Sequence, residues 1–196
     1  LSFTIDGISL PAVALSGRER VSELFSFEVV CEGAGAPRDL VGKKAVIGLH
    51  DGFGAEREIH GLVAEARRAA FEDGSATLRV VVRPSTFPLS LGRSSRAYHD
   101  TTVIDVANEV LGRHGLAPRL DVASPGERRP YRVQYREDDQ AFISRLLADE
   151  GIYFFFDHED GSEMVLADRS SGAPDLVGGA QLDFIPASEL RAPRES

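Results

Sequence analysis

The sequence predicts an α+β protein: an antiparallel β-barrel or sandwich followed by an α/β portion with two helices and a β-hairpin. Three observations carry this. Short β-rich segments separated by turn residues fill the first 90 positions. An apolar period of 3.6 residues appears at 101–111 and again at 138–150. Four consecutive aromatics, Tyr153 to Phe156, follow directly after the second of these. The organisation expected is a first barrel over 1–90, an α/β portion over 91–170, and a connection over 171–196 that leads toward a second strand-rich region.

In the first half, strands are expected at 2–5 (SFTI), 10–15 (LPAVAL), 24–30 (LFSFEVV), 44–49 (KAVIGL), 56–64 (EREIHGLVA) and 76–83 (ATLRVVVR). Turn chemistry lies between them at 33–37, 51–54 and 72–74, where Asp73-Gly74 suits a turn that needs positive φ. Phe25, Phe27 and Val29 share one strand face, which marks that face for the core.

The pattern changes at Pro84 and Pro88. Over 101–111, Val103, Ile104, Ala107 and Leu111 fall on one helical face, with Thr101 or Thr102 as the N-cap and Gly112 and Gly115 as the stop. Residues 120–131 (LDVASPGERRPY) read as a Pro-rich connection. The second helix, 138–150, has Asp138 as its N-cap and Asp139 in its first turn. Phe142, Ile143, Leu146 and Leu147 form its apolar stripe, and Gly151 is placed to end it.

Asp149 and Glu150 sit in the last turn, where each opposes the helix dipole by roughly 0.3–1 kcal/mol. They are expected to face solvent or a base on a partner. A hairpin over 152–167 turns at 159–162, and alternation sets Tyr153 and Phe155 opposite Ile152, Phe154 and Phe156. Both faces are apolar, so the hairpin must be covered twice, by its own domain or by a neighbouring subunit. The last stretch, 171–196, holds one short apolar run at 182–185 (LDFI).

Acids exceed bases by 31 to 22, a net charge of −9 that argues against a sequence-independent nucleic-acid binder and against docking on anionic lipid. No run of 18 apolar residues is present, so no direct membrane span is expected. The N-terminus has neither a basic leader nor a cleavable apolar core, so no secretory signal is expected. The single cysteine, Cys31, lies in the apolar run FEVVC and reads as a half-buried structural thiol of a reducing compartment.

No residue pattern supports catalysis. The five histidines are scattered, and His158-Glu159-Asp160 reads as a solvated turn rather than a metal site. Glu137, Asp138, Asp139, Asp149 and Glu150 read as caps and exposed helix ends rather than as the two carboxyls of a glycosidase. Gly52-Phe53-Gly54 matches no phosphate-binding pattern, and Ser16-Gly17 and Ser94-Ser95 form no nucleophile elbow. Arg67-Arg68 and Arg128-Arg129 read as salt-bridge partners or solvated surface.

The segment YRVQYREDDQAFISRLLADEGIYFFFDHEDG closely resembles the signature of the VgrG family, the spike proteins of bacterial type VI secretion systems. LSGRERVSELFSFEV at 15–29, DLVGKKAVIGL at 39–49, EREIHGLVAEA at 56–66, SSRAYHDTTVIDVANEVLGRHGL at 94–116 and MVLAD at 164–168 resemble further family motifs in the family's order. Leu62 interrupts the expected His-Gly-Val, and the tail after 170 does not align.

The resemblance implies a hub of the phage tail-tube and baseplate type. Three copies would form a pseudo-sixfold ring on which a hexameric tube protein stacks, with other baseplate and spike-tip proteins and with effectors carried by later regions. It implies no cofactor and no enzyme activity in this portion, assembly in the bacterial cytoplasm, and then injection. Phe142, Leu146, Asp149, Glu150, Tyr153, Phe154, Phe155 and Phe156 are the candidate interface residues. Two other readings stand beside it: a cell-envelope hydrolase module of a phage baseplate, and a hub adaptor of a phage tail or another contractile injection particle.

Overall fold

A computed structural model describes residues 1–32, 36–50, 56–70, 76–159 and 161–170. The expected turns at 51–54 and 72–74, most of the one at 33–37, and the apolar run at 182–185 lie outside the described residues.

Seven antiparallel strands form the first half: β1 (Ser2–Ile5), β2 (Ile8–Ser9), β3 (Ala12–Arg18), β4 (Ser26–Glu32), β5 (Lys44–His50), β6 (Glu56–Ala70) and β7 (Ala76–Arg83). Their order across the sheet is β2-β1-β5-β6-β7-β4-β3. The two edge strands are separated in sequence by Leu10-Pro11 alone, so the sheet must curl. The Leu10 amide donates to Phe3 O in β1, and Pro11 O accepts from the Glu32 amide in β4, both at 2.9 Å. The dipeptide thus bridges the two edges, and no ladder joins β2 to β3 among the described residues. Gly61 is demanded where β6 changes partner from β5 to β7, because a Cβ there would lie 2.5 Å from Arg83 O.

The second half contains β8 (Ser94–Thr101), α1 (Val103–Arg113), β9 (Arg119–Asp121), β10 (Arg129–Glu137), α2 (Asp139–Asp149), β11 (Tyr153–Asp157) and β12 (Glu163–Ala167). The α1 N-terminus is a capping box. Thr102 Oγ1 accepts from the Asp105 amide at 3.1 Å, and the Thr102 amide donates to Asp105 Oδ2 at 3.0 Å. Asp138 caps α2 by accepting from the Ala141 amide at 2.8 Å, and Gly151 follows the helix at φ +72°.

Several strands depart from expectation. The strand expected at 10–15 is shifted to β3 at Ala12–Arg18, with the short β2 before it, β4 starts at Ser26, and β6 runs to Ala70. The stretch 120–131 is not a plain connection, since β9 ends and β10 begins within it. Neither β9 nor the antiparallel pair β8–β10 is expected from periodicity. Three-residue β9 is too short for a pattern, and it gains its order by parallel pairing with β12.

One continuous hydrophobic cluster runs from the curled sheet into the second half. Phe3, Phe25, Ile47 and Ile59 belong to it together with Val110, Phe142, Phe154 and Leu166. Each fully buried side chain of this size stabilises by about 1.5–3 kcal/mol. Phe25 meets Phe156 edge-on at 5.3 Å across the junction.

Candidate assembly interface

Helix α2 and the β11–β12 hairpin hold the candidate residues. The stripe Phe142, Ile143, Leu146 and Leu147 is buried, as the helical period requires, and Phe142 stacks on Tyr98 of β8 at 5.4 Å. Phe154 and Phe156 are buried on the same hairpin face as their cross-strand neighbours Leu166 and Met164. Phe142, Leu146, Phe154 and Phe156 therefore pack within this chain's own core. Tyr153 and Phe155 point the other way and stay half-buried, their rings 6.4 Å apart. Asp149 is exposed.

Glu150 answers the dipole conflict at the end of α2 from within the chain. Its Oε1 accepts from Arg132 Nη2 at 3.0 Å and pairs with Arg129 Nη2 at 3.2 Å. The Arg132 bond, with the nearby charges, holds the Glu150 carboxyl below the usual carboxylate range. Arg132 is the less expected member, because its side chain is only 2% exposed. Nη2 also donates to Glu127 O at 3.0 Å, and Nε donates to Thr101 O at 3.5 Å.

Strand β10 is consequently inverted in polarity. Arg132 and Gln134 point inward, and Gln134 donates to Asp139 Oδ1 at 2.7 Å. Tyr131, Val133 and Tyr135 point outward and are 55%, 38% and 67% exposed. Because side chains alternate, a slip of one residue would bury the three apolar groups instead. The inward ion pair and amide contacts oppose that slip.

The hairpin is fastened to the sheet by polar contacts as well as by rings. The Ser22 amide donates to Phe154 O at 2.7 Å, and Ser85 Oγ donates to Ser162 O at 3.1 Å. His158 Nδ1 accepts from the His60 amide at 3.1 Å, and its Nε2 lies 3.4 Å from Glu19. This corrects the solvated-turn expectation for His158, whose side chain is 7% exposed. Local sequence gave no sign of it, since the partners lie about a hundred residues upstream. Glu159 is exposed as expected, and Asp160 is outside the described residues.

The remaining polar candidates are structural. Asp139 collects Gln134, Ser94 (3.2 Å), His114 (3.0 Å) and Arg96 (3.4 Å). Burial alone would push its carboxyl up, but the bonds from Gln134 and His114, with the Arg113 charge, hold it low. Glu137 pairs with Arg145 at 2.6 Å. A general acid needs a raised pKa, so Asp139 and Glu150 are shifted the wrong way for that role. Arg67 pairs with Glu65, Arg128 with Asp100 and Asp105, and Arg129 with Glu127 and Glu150. Cys31 is fully buried rather than half-buried, and burial pushes its thiol up. Among the described residues no three His, Cys, Asp or Glu side chains group to hold a metal, and no helix is long and apolar enough to cross a membrane.

A curled antiparallel sheet welded to two capped helices and a hairpin is a fold found among tail proteins of phage-like particles. Solved structures that share this fold include two from phage-like systems. One is the E. coli c3393 protein, described as a component of the type VI secretion system with structural similarity to T4 bacteriophage tail proteins gp27 and gp5. It superposes with a TM-score of 0.78 at 24% identity over 88% of this chain and 50% of that one. The other is a tail protein of prophage MuSo2 from Shewanella oneidensis, with a TM-score of 0.63 at 16% identity over 85% and 53%.

The chain belongs to the phage tail baseplate hub (GPD) family, which it matches over residues 18–196. The Pseudomonas aeruginosa type VI secretion system spike protein VgrG1c is 32% identical over 179 residues, covering 89% of this chain and 25% of that protein. VgrG1a of the same organism is 31% identical over 181 residues, covering 88% and 28%. The resemblance to VgrG spike proteins is thereby borne out. The chain spans about a quarter of the length of the curated relatives it matches.

Proposed function

We propose that this chain is the hub segment of a type VI secretion spike, which trimerises and docks a hexameric tube protein onto a cell-puncturing tip. The observation that carries the reading is the extent of the similarity to spike proteins, which takes in both the curled sheet and the helix–hairpin portion rather than one motif. The common core of these two portions suits a part that transmits force, because relative motion would have to open packed aromatic contacts. In this reading the sheet is the first barrel, residues 91–170 are the α/β portion, and 171–196 leads to a second barrel. Tip proteins and effectors engage regions of the longer protein, which is assembled in the cytoplasm and then injected. The role is mechanical, with no reaction and no cofactor assigned to this portion.

The test is co-sedimentation of the 196-residue chain with the purified hexameric tube protein of the same secretion system. Binding at one hub trimer per tube hexamer is expected. Failure to bind at any ratio, or release of muropeptides from purified peptidoglycan by the chain alone, overturns the reading.

A further inference from the structure

Where the start of β8, the end of α1 and the start of α2 meet, a cavity of about 340 Å³ has cationic walls over an acidic floor. Asp139 is the floor, with its side chain 12% exposed. Its two oxygens accept from Gln134, Ser94 and His114 at 2.7, 3.2 and 3.0 Å. The arginines stand further off, Arg96 at 3.4 Å and Arg113 at 3.7 Å. The carboxylate is thus satisfied by closer, uncharged donors, and the guanidinium groups are left with spare capacity.

The arginines are braced without being used up. Arg96 Nη1 donates to Ser94 Oγ at 2.9 Å, while its Nε and Nη2 have no partner among the described residues. Arg113 is fixed through both tips of its fork, to Glu109 at 3.0 Å and to Tyr98 Oη at 3.1 Å. Arg93 lines the same cavity and has no ion pair among the described residues. Set against both acids that these groups touch, Asp139 and Glu109, the three arginines leave one positive charge in excess with His114 neutral. That excess lies in a concave site of a chain whose net charge is −9.

We infer that this cavity receives a carboxylate side chain of a partner protein, gripped by Arg93 and Arg96. A monoanion neutralises the excess of one charge, whereas a phosphate dianion overshoots it directly above the Asp139 carboxylate. The planar guanidinium fork also matches a carboxylate through two parallel bonds. Leu91 stands on the rim and is 64% exposed, which suits an apolar residue next to the acid in the partner. Because Arg96 and Arg113 are already held, little side-chain freedom is lost on binding. The cavity is open, so one such contact alone is weak and salt-sensitive, with a dissociation constant on the order of millimolar. The inference goes beyond the hub reading and does not rest on it, since it concerns one side-chain pocket and not the arrangement of the particle.

Titration of the isotope-labelled 196-residue chain with the capped peptide acetyl-Ala-Glu-Leu-Ala-amide at low salt, followed by heteronuclear NMR, tests it. Saturable shifts are expected at the amides of Leu91 to Arg96 and of Arg113 and His114. The same peptide with Gln in place of Glu should bind at least ~10-fold more weakly. Arg93→Ala breaks no ion pair among the described residues, so the rest of the spectrum should stay unchanged while binding weakens about 5-fold or more. Arg93→Lys should recover only part of the loss, because an ammonium lacks the fork. No saturable shift up to ~50 mM peptide, equal binding of the Gln peptide, or an Arg93→Ala chain that binds like wild type overturns the inference. Inorganic phosphate that binds more tightly than the peptide marks the site as one for an adventitious ion only, and overturns it as well. Loss of the peptide by Arg93→Ala supports the inference whether or not that chain still co-sediments with the tube protein, so the hub reading stands or falls separately.

Discussion

Removing the carboxylate of Glu150 by Glu150→Ala isolates the guanidinium of Arg132, whose side chain is 2% exposed. Two carbonyl contacts, to Glu127 and Thr101, would remain, but no counter-charge would lie within ion-pair distance of Arg132. Leaving one partner of a buried pair uncompensated costs about 3–5 kcal/mol. Global stability for a domain is about 5–15 kcal/mol, so the loss is a large share of it. At about 2–4 °C per kcal/mol for a chain of this size, the melting temperature should fall by roughly 6–20 °C. Calorimetry and guanidinium titration measure this directly.

The pH dependence supplies a second readout of the same pair. The Glu150 carboxyl is depressed in the folded state, so its contribution is present above the unfolded value of 4.5 and is lost as pH falls through the folded one. The gap between wild type and Glu150→Gln should be constant from neutral pH down to that region and close below it. A stability loss under about 1 kcal/mol, or a gap that does not respond to acid, would show a solvated surface pair and refute the reasoning.

Other expectations follow from the packing. Phe154→Asp sets a charge on a buried hairpin face beside Phe156 and should cost at least ~4 kcal/mol, read as loss of the cooperative melt; a folded variant would mean that the hairpin is not core. Gly61→Val should destabilise by about 1–3 kcal/mol through the clash with Arg83 O, measured by denaturant unfolding. Thr102→Ala removes one half of the α1 capping box and should cost about 1 kcal/mol, with hydrogen exchange accelerating first at Val103 to Asp105.

The sequence by itself determined what local periodicity can carry. Both helices, the Asp138 cap, the Gly151 stop and the β11–β12 hairpin followed from residues close together in the chain, because capping and face alternation act over a few positions. The tertiary structure decided what depends on distant partners. The acid at the end of α2 looked like a dipole violation until Arg132 of β10 came to meet it, and His158 looked solvated until the β6 amide of His60 reached its ring. Strand β10 was not expected from periodicity, and the outward direction of its Tyr131, Val133 and Tyr135 was decided by distant partners. That direction is set by Glu150 and Asp139 on α2, which draw the polar side inward because a buried guanidinium or amide is stable only where partners await it.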